Sequence, residues 1–552
     1  MTRIFGFLAT ISVGVLVGCV GDEPPPVGPC SGPGCPGYED PGAGSSFELS
    51  TVDVPALTRG ASVAVGIGIA RKGFDGPIAV TATGLPPGVS AAPLTVSAGA
   101  PDGTLTLSAT TDAQEGPAEI TVAASDADGK LRSEKKVALL VRGRPGEPDL
   151  TFGQGGAVTL NVNAGVSGVV VQPDGKTLVS GTVSRDFVVL RLGVDGAPDA
   201  SFGNTGQART DFYFDGGLTD DTATGLALAP DGRVLLAGYT ITNGGSRYAL
   251  ARYRADGAAD TELDGKGYTF AQFAPRPEWS GDLIAWAVAA TPDGRPVIAG
   301  TVYDPEAGGR RMVMARFKTN GRAEDDGDFF GGFPSSRVGT DDVCHAVAVA
   351  ADKIVCAGSS DSAGGRRMVA WRVNEDGTND TSFHAGDGVA VVASSVLPNA
   401  AARSVHPLAQ GRVLVSGTSS AEAAGQKAAV AVFTANGALD GSFGGTGTLA
   451  FDWGAPLSGD ARSSLDGEGR VMVVAAARPD DNAIGLARVL PTGQLDATFG
   501  SSGKLLLPFA EGDKGARDVF VAHHPDGRVV IATTVETDGV AARKVHVRRL
   551  WQ

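Results

Sequence analysis

Along residues 46–142 apolar and polar residues alternate in short runs, at 62–69, 78–83, 104–109 and 119–124. A period of two puts the apolar side chains on one face of an extended strand. Turn sequences separate the runs: Leu85-Pro86-Pro87-Gly88, Ala100-Pro101-Asp102-Gly103 and Asp128-Gly129. Strands this short and this closely spaced predict a small β-sandwich. From residue 148 the apolar runs recur in sets of four. Residues 224–229, 234–237 and 248–253 exemplify the first three strands of a set, and 207–212 the fourth. The region opens on a fourth-type strand, 157–162, and ends on a third-type strand, 544–550.

Three signatures accompany each set. The first is Asp-x-[Ser/Thr]-Phe-Gly, at 149–153, 199–203, 440–444 and 496–500, with His384 replacing the glycine in the copy at 380–384. Degraded copies stand at 260–264 and 326–330. The second is Pro-Asp-Gly-[Lys/Arg] between two apolar runs, at 173–176, 230–233, 292–295 and 525–528. Pro suits the first corner of a β-turn, Asp bonds its own backbone, and Gly takes positive φ. The third is an arginine near the end of the third strand: Arg191, Arg252, Arg316, Arg372, Arg488 and Arg549, with Val432 in its place once. Two readings of these arginines stay open: a ring that binds an anion, or one structural arginine per set, bonded to a corner Asp.

The recurrence over 148–552 resembles the bacterial delta-sixty repeat. The resemblance implies a β-propeller, and seven sets of four strands imply seven blades. The seventh blade lacks its own last strand, so the orphan strand at 157–162 is expected to complete it. The run from Gly76-Pro77-Ile78 to Gly84-Leu85-Pro86-Pro87-Gly88-Val89 resembles immunoglobulin-like modules of bacterial surface proteins, which act as spacers. The expected fold is all-β: a sandwich at 46–142, then a seven-bladed propeller at 143–552 closed by an N-terminal strand.

The N-terminus carries an address. Arg3 precedes an uncharged apolar stretch, 4–18, shorter than the ~20 residues a spanning helix needs. The stretch ends Leu16-Val17-Gly18-Cys19, which resembles a lipobox with Cys19 as the lipidated residue. Residues 1–19 are expected to be a lipoprotein signal peptide, and the lipid on Cys19 implies membrane anchoring. Val20 after the cysteine suggests the outer membrane, on its periplasmic or its surface side. Fourteen of the residues 20–45 are Pro or Gly, the composition of an extended tether. Cys30 with Cys35, and Cys344 with Cys356 across a predicted hairpin, are candidate disulfides.

A net charge of −15 argues against a nucleic-acid partner, which would want a basic face. Glycine makes up 80 of the 552 residues without a G-X-Y period, so the excess serves turns and not a collagen helix. No nucleophile elbow, His-Glu-x-x-His or dinucleotide fingerprint occurs, and no catalytic or metal-ligating residue is assigned. No cofactor is expected; Glu324-Asp325-Asp326-Gly327-Asp328 invites calcium but misses the EF-hand register. The candidate binding face is built by connections that lead from a fourth strand to the next first strand. It takes in Asp221, Arg276, Glu278, Trp279, Asp282, Asp341, Asp342, Trp453 and Asp460. Carboxylates with exposed tryptophan suit a sugar, a cation or a protein loop. The expected function is binding or scaffolding of an envelope protein or polysaccharide through that face. The alternatives are a carbohydrate-active hydrolase or lyase in the channel, and a purely structural component. An enzyme would bring polar side chains, each peculiar to one blade, together on the channel with perturbed pKa values.

Overall fold

The computed structural model describes residues 44–214, 217–242, 245–271, 283–324, 334–421, 425–454, 456–477, 483–509, 513–514, 518–537 and 543–552. Residues 46–142 form two sheets around one core. The strand order in one is Ser46–Asp53, Ser62–Lys72, Asp102–Ala109, Val89–Ala91. In the other it is Leu57–Thr58, Arg132–Arg142, Gly116–Ser125, Ile78–Thr83, Leu94–Val96. Val65, Ile67, Leu105 and Leu107 of the first pack with Ile78, Val80, Ile120, Val122 and Val141 of the second. Each such side chain, fully buried, contributes about 1.5–3 kcal/mol of transfer free energy. The strand Ile78–Thr83 has its expected bounds. The other three extend further, because backbone pairing continues past the last apolar residue.

The rest of the described chain is a succession of antiparallel sheets, numbered here I to VII. Sheet I comprises Ala164–Val171, Thr177–Val183, Asp186–Leu192 and Gln207–Thr210, and sheet II comprises Asp220–Leu228, Val234–Thr242, Gly245–Tyr253 and Tyr268–Ala271. Sheet III follows with Ile284–Ala290, Pro296–Asp304, Gly309–Arg316 and Ser335–Ser336, and sheet IV with Asp341–Ala350, Lys353–Ser362, Gly365–Asn374 and Val389–Val391. Sheet V has Ala401–Pro407, Val413–Ala421, Gly425–Phe433 and Thr448–Phe451, and sheet VI has Arg462–Leu465, Val471–Ala477, Ala483–Val489 and Lys504–Pro508. Sheet VII contains Val519–His523, Arg528–Thr537 and Arg543–Trp551, and takes Ala157–Leu160 beside its third strand, in the register Ala157↔Arg548 to Leu160↔Val545. First strands of consecutive sheets lie against one another, and the first strand of VII returns to that of I. This is a propeller-like arrangement, with the first strands innermost.

The corner signature has a physical account. In five sheets the arginine Nε donates to a carboxylate eight residues on: Arg191 to Asp199 at 2.9 Å, Arg252 to Asp260 at 2.7 Å, Arg316 to Glu324 at 2.8 Å, Arg372 to Asp380 at 2.7 Å and Arg488 to Asp496 at 2.8 Å. In VII the partner comes from the other end of the repeat region: Arg549 Nε lies 2.5 Å from Asp149 Oδ2. Where Val432 replaces the arginine, Arg412 reaches Asp440 at 2.6 Å. The other oxygen of these Asp residues accepts from the Ser or Thr two residues later, as in Asp199–Ser201 and Asp496–Thr498, except at Asp260, where the Glu262 backbone N donates. The Phe lies beneath the guanidinium, 4.5 Å away for Phe202 and 4.2 Å for Phe383. A second nitrogen bonds a carbonyl of the next sheet, as Arg252 does to Thr319 and Arg372 to Ala435. These arginines are therefore buried fasteners, and the ring-for-an-anion reading falls away. In sheet III the corner acid is Glu324, two residues before the Asp326 expected from sequence. It is shared by Arg316 and Arg295, so Glu324 is committed to ion pairs; Asp325 to Asp328 lie outside the described residues.

The sandwich does not hang free. Trp551 donates from Nε1 to Glu115 of the sandwich at 3.0 Å, and its backbone bonds residues 146 and 147. The Glu115 carboxylate also accepts from Leu150 N at 3.1 Å and pairs with Arg59 at 2.7 Å. A disulfide joins Cys344 to Cys356 in sheet IV, with Cα atoms 5.9 Å apart. Cys19, Cys30 and Cys35 lie outside the described residues. Among the described residues no helix is long and apolar enough to cross a membrane.

Candidate functional site

A one-residue bulge interrupts the innermost strand of five sheets. Register shifts leave Ser167, Thr224, Trp286, His345 and Arg403 unpaired in sheets I to V. The cause lies on the second strand. Opposite the residue before each bulge stands a glycine: Gly181, Gly238, Gly300, Gly358 and Gly417. A Cβ on these glycines would meet an inner-strand carbonyl oxygen at 2.2, 1.9, 2.1, 1.8 and 2.0 Å respectively. The bulged backbone thus occupies the space a side chain would need. Thr533 holds the equivalent position in VII, where Val519 and Phe520 pair without a register shift; in VI the regular pairing ends at Arg462↔Val474, one residue short of Ala475. A bulge re-aims the extra residue, and all five line one cavity of about 600 Å³ on the ring axis. Sheets VI and VII add Arg462, Asp518 and Phe520 to its wall.

Around this throat four arginines meet four carboxylates. Arg310 donates from Nε to Asp341 at 2.8 Å, Arg366 to Asp361 at 2.8 Å, Arg403 lies 2.7 Å from Asp460, and Arg462 lies 3.4 Å from Asp518. Arg462 also stacks on Phe520, 4.2 Å from the ring centroid. A smaller hollow lined by Trp286, Arg310, Asp341, His345, Asp361, Arg366 and Arg403 continues the throat toward the side where the inner strands begin. Trp286 and His345 meet edge to face at 5.5 Å. Burial, and then the charges of Arg403, Arg462, Arg310 and Arg366, hold the His345 imidazole well below its ordinary pKa, so it is neutral at pH 7. The Arg310 guanidinium holds the Asp341 carboxyl below its ordinary value. At the far ends of the inner strands a hydroxyl–imidazole network runs across V, VI and VII: His406 with Ser463 at 2.9 Å and Ser464 with His523 at 2.6 Å. Burial lowers both imidazoles to about 4.

The sequence-derived face residues divide three ways. Asp341 and Asp460 line the funnel, each held by an arginine. Asp221, Asp342 and Trp453 do not form an exposed rim. Asp221 is 1% exposed and accepts from Phe212 N and Thr219, while Asp342 is fully buried and caps Val338 N and Gly339 N. Trp453 packs against Phe451 and donates to the Leu486 carbonyl. The backbone ends of these connections need acceptors more than the solvent needs a charge. Asp186, Asp211 and Asp221 bring ligand atoms within 4.8 Å of one another, but Asp186 is also paired with Arg209. Arg276, Glu278, Trp279 and Asp282 lie outside the described residues. Sequence reasoning missed Ser167, Thr224, Trp286, His345, Arg403, Arg462 and Phe520. For the bulged five the signal was present: each occupies one column of the repeat in which residue type changes from copy to copy.

The comparisons agree with the architecture. The family model described as "Domain of unknown function (DUF5122) beta-propeller" matches residues 172–202, 229–262, 291–323 and 351–383. Each segment spans the second and third strands of one of sheets I to IV, and in I, II and IV it reaches the corner aspartate. The class is that of β-propeller repeat proteins. Comparison with curated proteins finds no match. Similar solved structures include a polysaccharide lyase, an ulvan lyase, with 11% identity over 71% of this chain and 95% of that one and a TM-score of 0.38. A gluconolactonase from Xanthomonas campestris has 12% identity over 74% and 94%, with a TM-score of 0.30. A protein of unknown function from Bacteroides thetaiotaomicron has 12% identity over 91% and 98%, with a TM-score of 0.31. Likeness at this level assigns no activity.

Proposed function

We propose that this chain is a lipid-anchored cell-envelope binding protein. In this reading residues 1–19 are a lipoprotein signal peptide, 20–45 a tether, 46–142 an immunoglobulin-like module, and 143–552 a seven-bladed propeller closed by Ala157–Leu160. The ligand site is the axial funnel, and the ligand is a saccharide of the envelope. One observation supports a ligand site in the funnel, for catalysis as much as for binding. Residues that build the fold repeat from sheet to sheet, whereas those at the bulges differ in every sheet and converge on one cavity. A scaffold alone has no use for five different residues there. A cavity of this size falls within the range of small-ligand sites, about 300–1,000 Å³. Planar Arg–carboxylate pairs beside an indole suit hydroxyl-bearing rings, which need donors and acceptors together with an apolar face.

Binding of the full chain to envelope polysaccharide from the cells that make it tests this. Trp286→Ala and Arg403→Gln are each expected to weaken binding at least tenfold. Leu506→Ala, on an outer strand, is expected to leave it unchanged. Binding that survives both funnel substitutions would move the site elsewhere. The anchor has its own test. Cys19→Ala is expected to shift the protein from the membrane pellet to the soluble fraction, and unaltered pelleting would remove the anchor from the reading. A second reading, catalysis in the funnel, is favoured by the convergence there of polar side chains each peculiar to one sheet, with His345 neutral among them.

A further inference from the structure

We propose that the saccharide taken by the funnel is acidic. Its anionic group sits in the throat against Arg403, Arg462 and His345, with Trp286 as the adjoining aromatic wall. The inference rests on the funnel being a saccharide site and adds the charge of the ligand.

The chain as a whole carries −15, so a throat with an arginine for every carboxylate is a local departure from its composition. By formal count the funnel is neutral, with an aspartate for each arginine. The pairs are not placed symmetrically, however. The Arg403 side chain is 19% exposed against 28% for Asp460, and that of Arg462 is 20% against 52% for Asp518. In these two pairs the cation is the more buried partner and the carboxylate lies nearer solvent, where water screens it, whereas Arg310 and Arg366 are more exposed than Asp341 and Asp361 (37% against 29%, 48% against 34%). His345 reports the result: the four charges acting on it most strongly are all arginines, and each disfavours its protonation.

The hydrogen-bonding inventory points the same way. Arg403 Nε is taken by Asp460 at 2.7 Å. Trp286 Nε1 is a buried donor without an acceptor among the described residues. A buried donor of this kind is expensive to leave unpaired, and a carboxylate or sulfate ester offers it several charged acceptor oxygens where a hydroxyl offers one neutral one. A bound metal cation would face four guanidinium groups, which disfavours that occupant. An acidic peptide could supply the charge but not the ring that the indole would cover.

The test uses the full chain labelled with ¹⁵N-histidine, whose six imidazoles are few enough to follow individually. The His345 signal is identified by its loss in His345→Asn. The probes are glucuronate, its uncharged methyl ester, inorganic sulfate and tetraglutamate. Glucuronate is expected to shift the His345 signal with at least tenfold higher apparent affinity than the ester. In Arg403→Gln and in Arg462→Gln that preference is expected to fall below about threefold, the other histidine signals holding their positions as evidence of an intact fold. Equal response to glucuronate and its ester would overturn the anionic inference and leave the saccharide reading standing. Response to sulfate or tetraglutamate with none to either sugar would overturn both and mark the throat as a general anion or peptide site. No response to any probe would also overturn both.

Discussion

Replacing Asp149 with alanine is expected to destabilise the propeller by about 3–5 kcal/mol, the range for leaving a buried charge without its partner. Arg549 is 1% exposed and Asp149 fully buried, and Arg528 also contacts the same carboxylate at 2.5 Å. One aspartate from the start of the repeat region therefore neutralises two guanidinium groups from its end. Phe152, three residues later, lies 4.5 Å under Arg549, and Ala157–Leu160 pairs with the strand that carries that arginine. Removing the carboxylate strands Arg549, leaves Arg528 with Asp526 alone, and loosens the joint between the termini. Denaturant unfolding followed by tryptophan fluorescence measures the loss. The double variant Asp149→Ala/Arg549→Met is expected to recover part of it, because the uncompensated charge is then gone as well. A single variant as stable as the parent would refute the role of this pair in closure. The pH dependence has a definite sign. Burial raises the Asp149 pKa, but Thr151, Arg549 and Arg528 outweigh it and hold the group below 3.8. The carboxylate is thus more acidic folded than unfolded. Its contribution is complete above the unfolded value near 4 and is lost as pH falls through the folded value below it.

Substituting Gly417 with alanine is expected to cost about 1–3 kcal/mol, as overpacking does, and to weaken saccharide binding at least tenfold. The new Cβ would stand 2.0 Å from the Ala401 carbonyl oxygen, inside any permissible contact. Backbone must yield, and the strand that yields carries the Arg403 bulge. The arginine would then leave the throat although its own codon is untouched. Gly358→Ala should act on His345 in the same way, its Cβ meeting the Val343 carbonyl at 1.8 Å. Ala475→Gly, at the equivalent place in sheet VI, is the control, and only the ordinary glycine cost of about 0.5–1 kcal/mol is expected there. Denaturant unfolding and titration with polysaccharide read both effects. If Gly417→Ala bound and unfolded like the parent, the glycines would not be what licenses the bulges.

Much of this architecture was legible before any coordinates. The alternation at 62–69 and 78–83 marks strands because a half-buried sheet admits no other period. The Asp-x-[Ser/Thr]-Phe-Gly corner and the arginine eight residues before its acid recur because every sheet solves the same local problem. The orphan strand near residue 157 was visible from the phase of the two ends. Where reading failed, the reason was specific. Asp221, Asp342 and Trp453 looked like surface chemistry because carboxylates and tryptophan in connections usually face water. Here tight connections bury them as acceptors and packing groups. Asp326 was taken for the corner acid of sheet III because it begins a better motif match than Glu324, whereas the eight-residue reach from Arg316 decides the pairing.

Trp286, His345 and Arg403 belong to a different category. In sequence they sit 59 and 58 residues apart inside apolar runs and read as ordinary inner-strand positions. Periodicity, turn chemistry and the repeated fasteners are short-range, so the chain by itself determines its strands, its sheets and its likeness to a propeller. Which residues share the axis depends on how the sheets are arranged around it and on a bulge that five glycines permit. That is long-range steric information, and only the tertiary structure holds it.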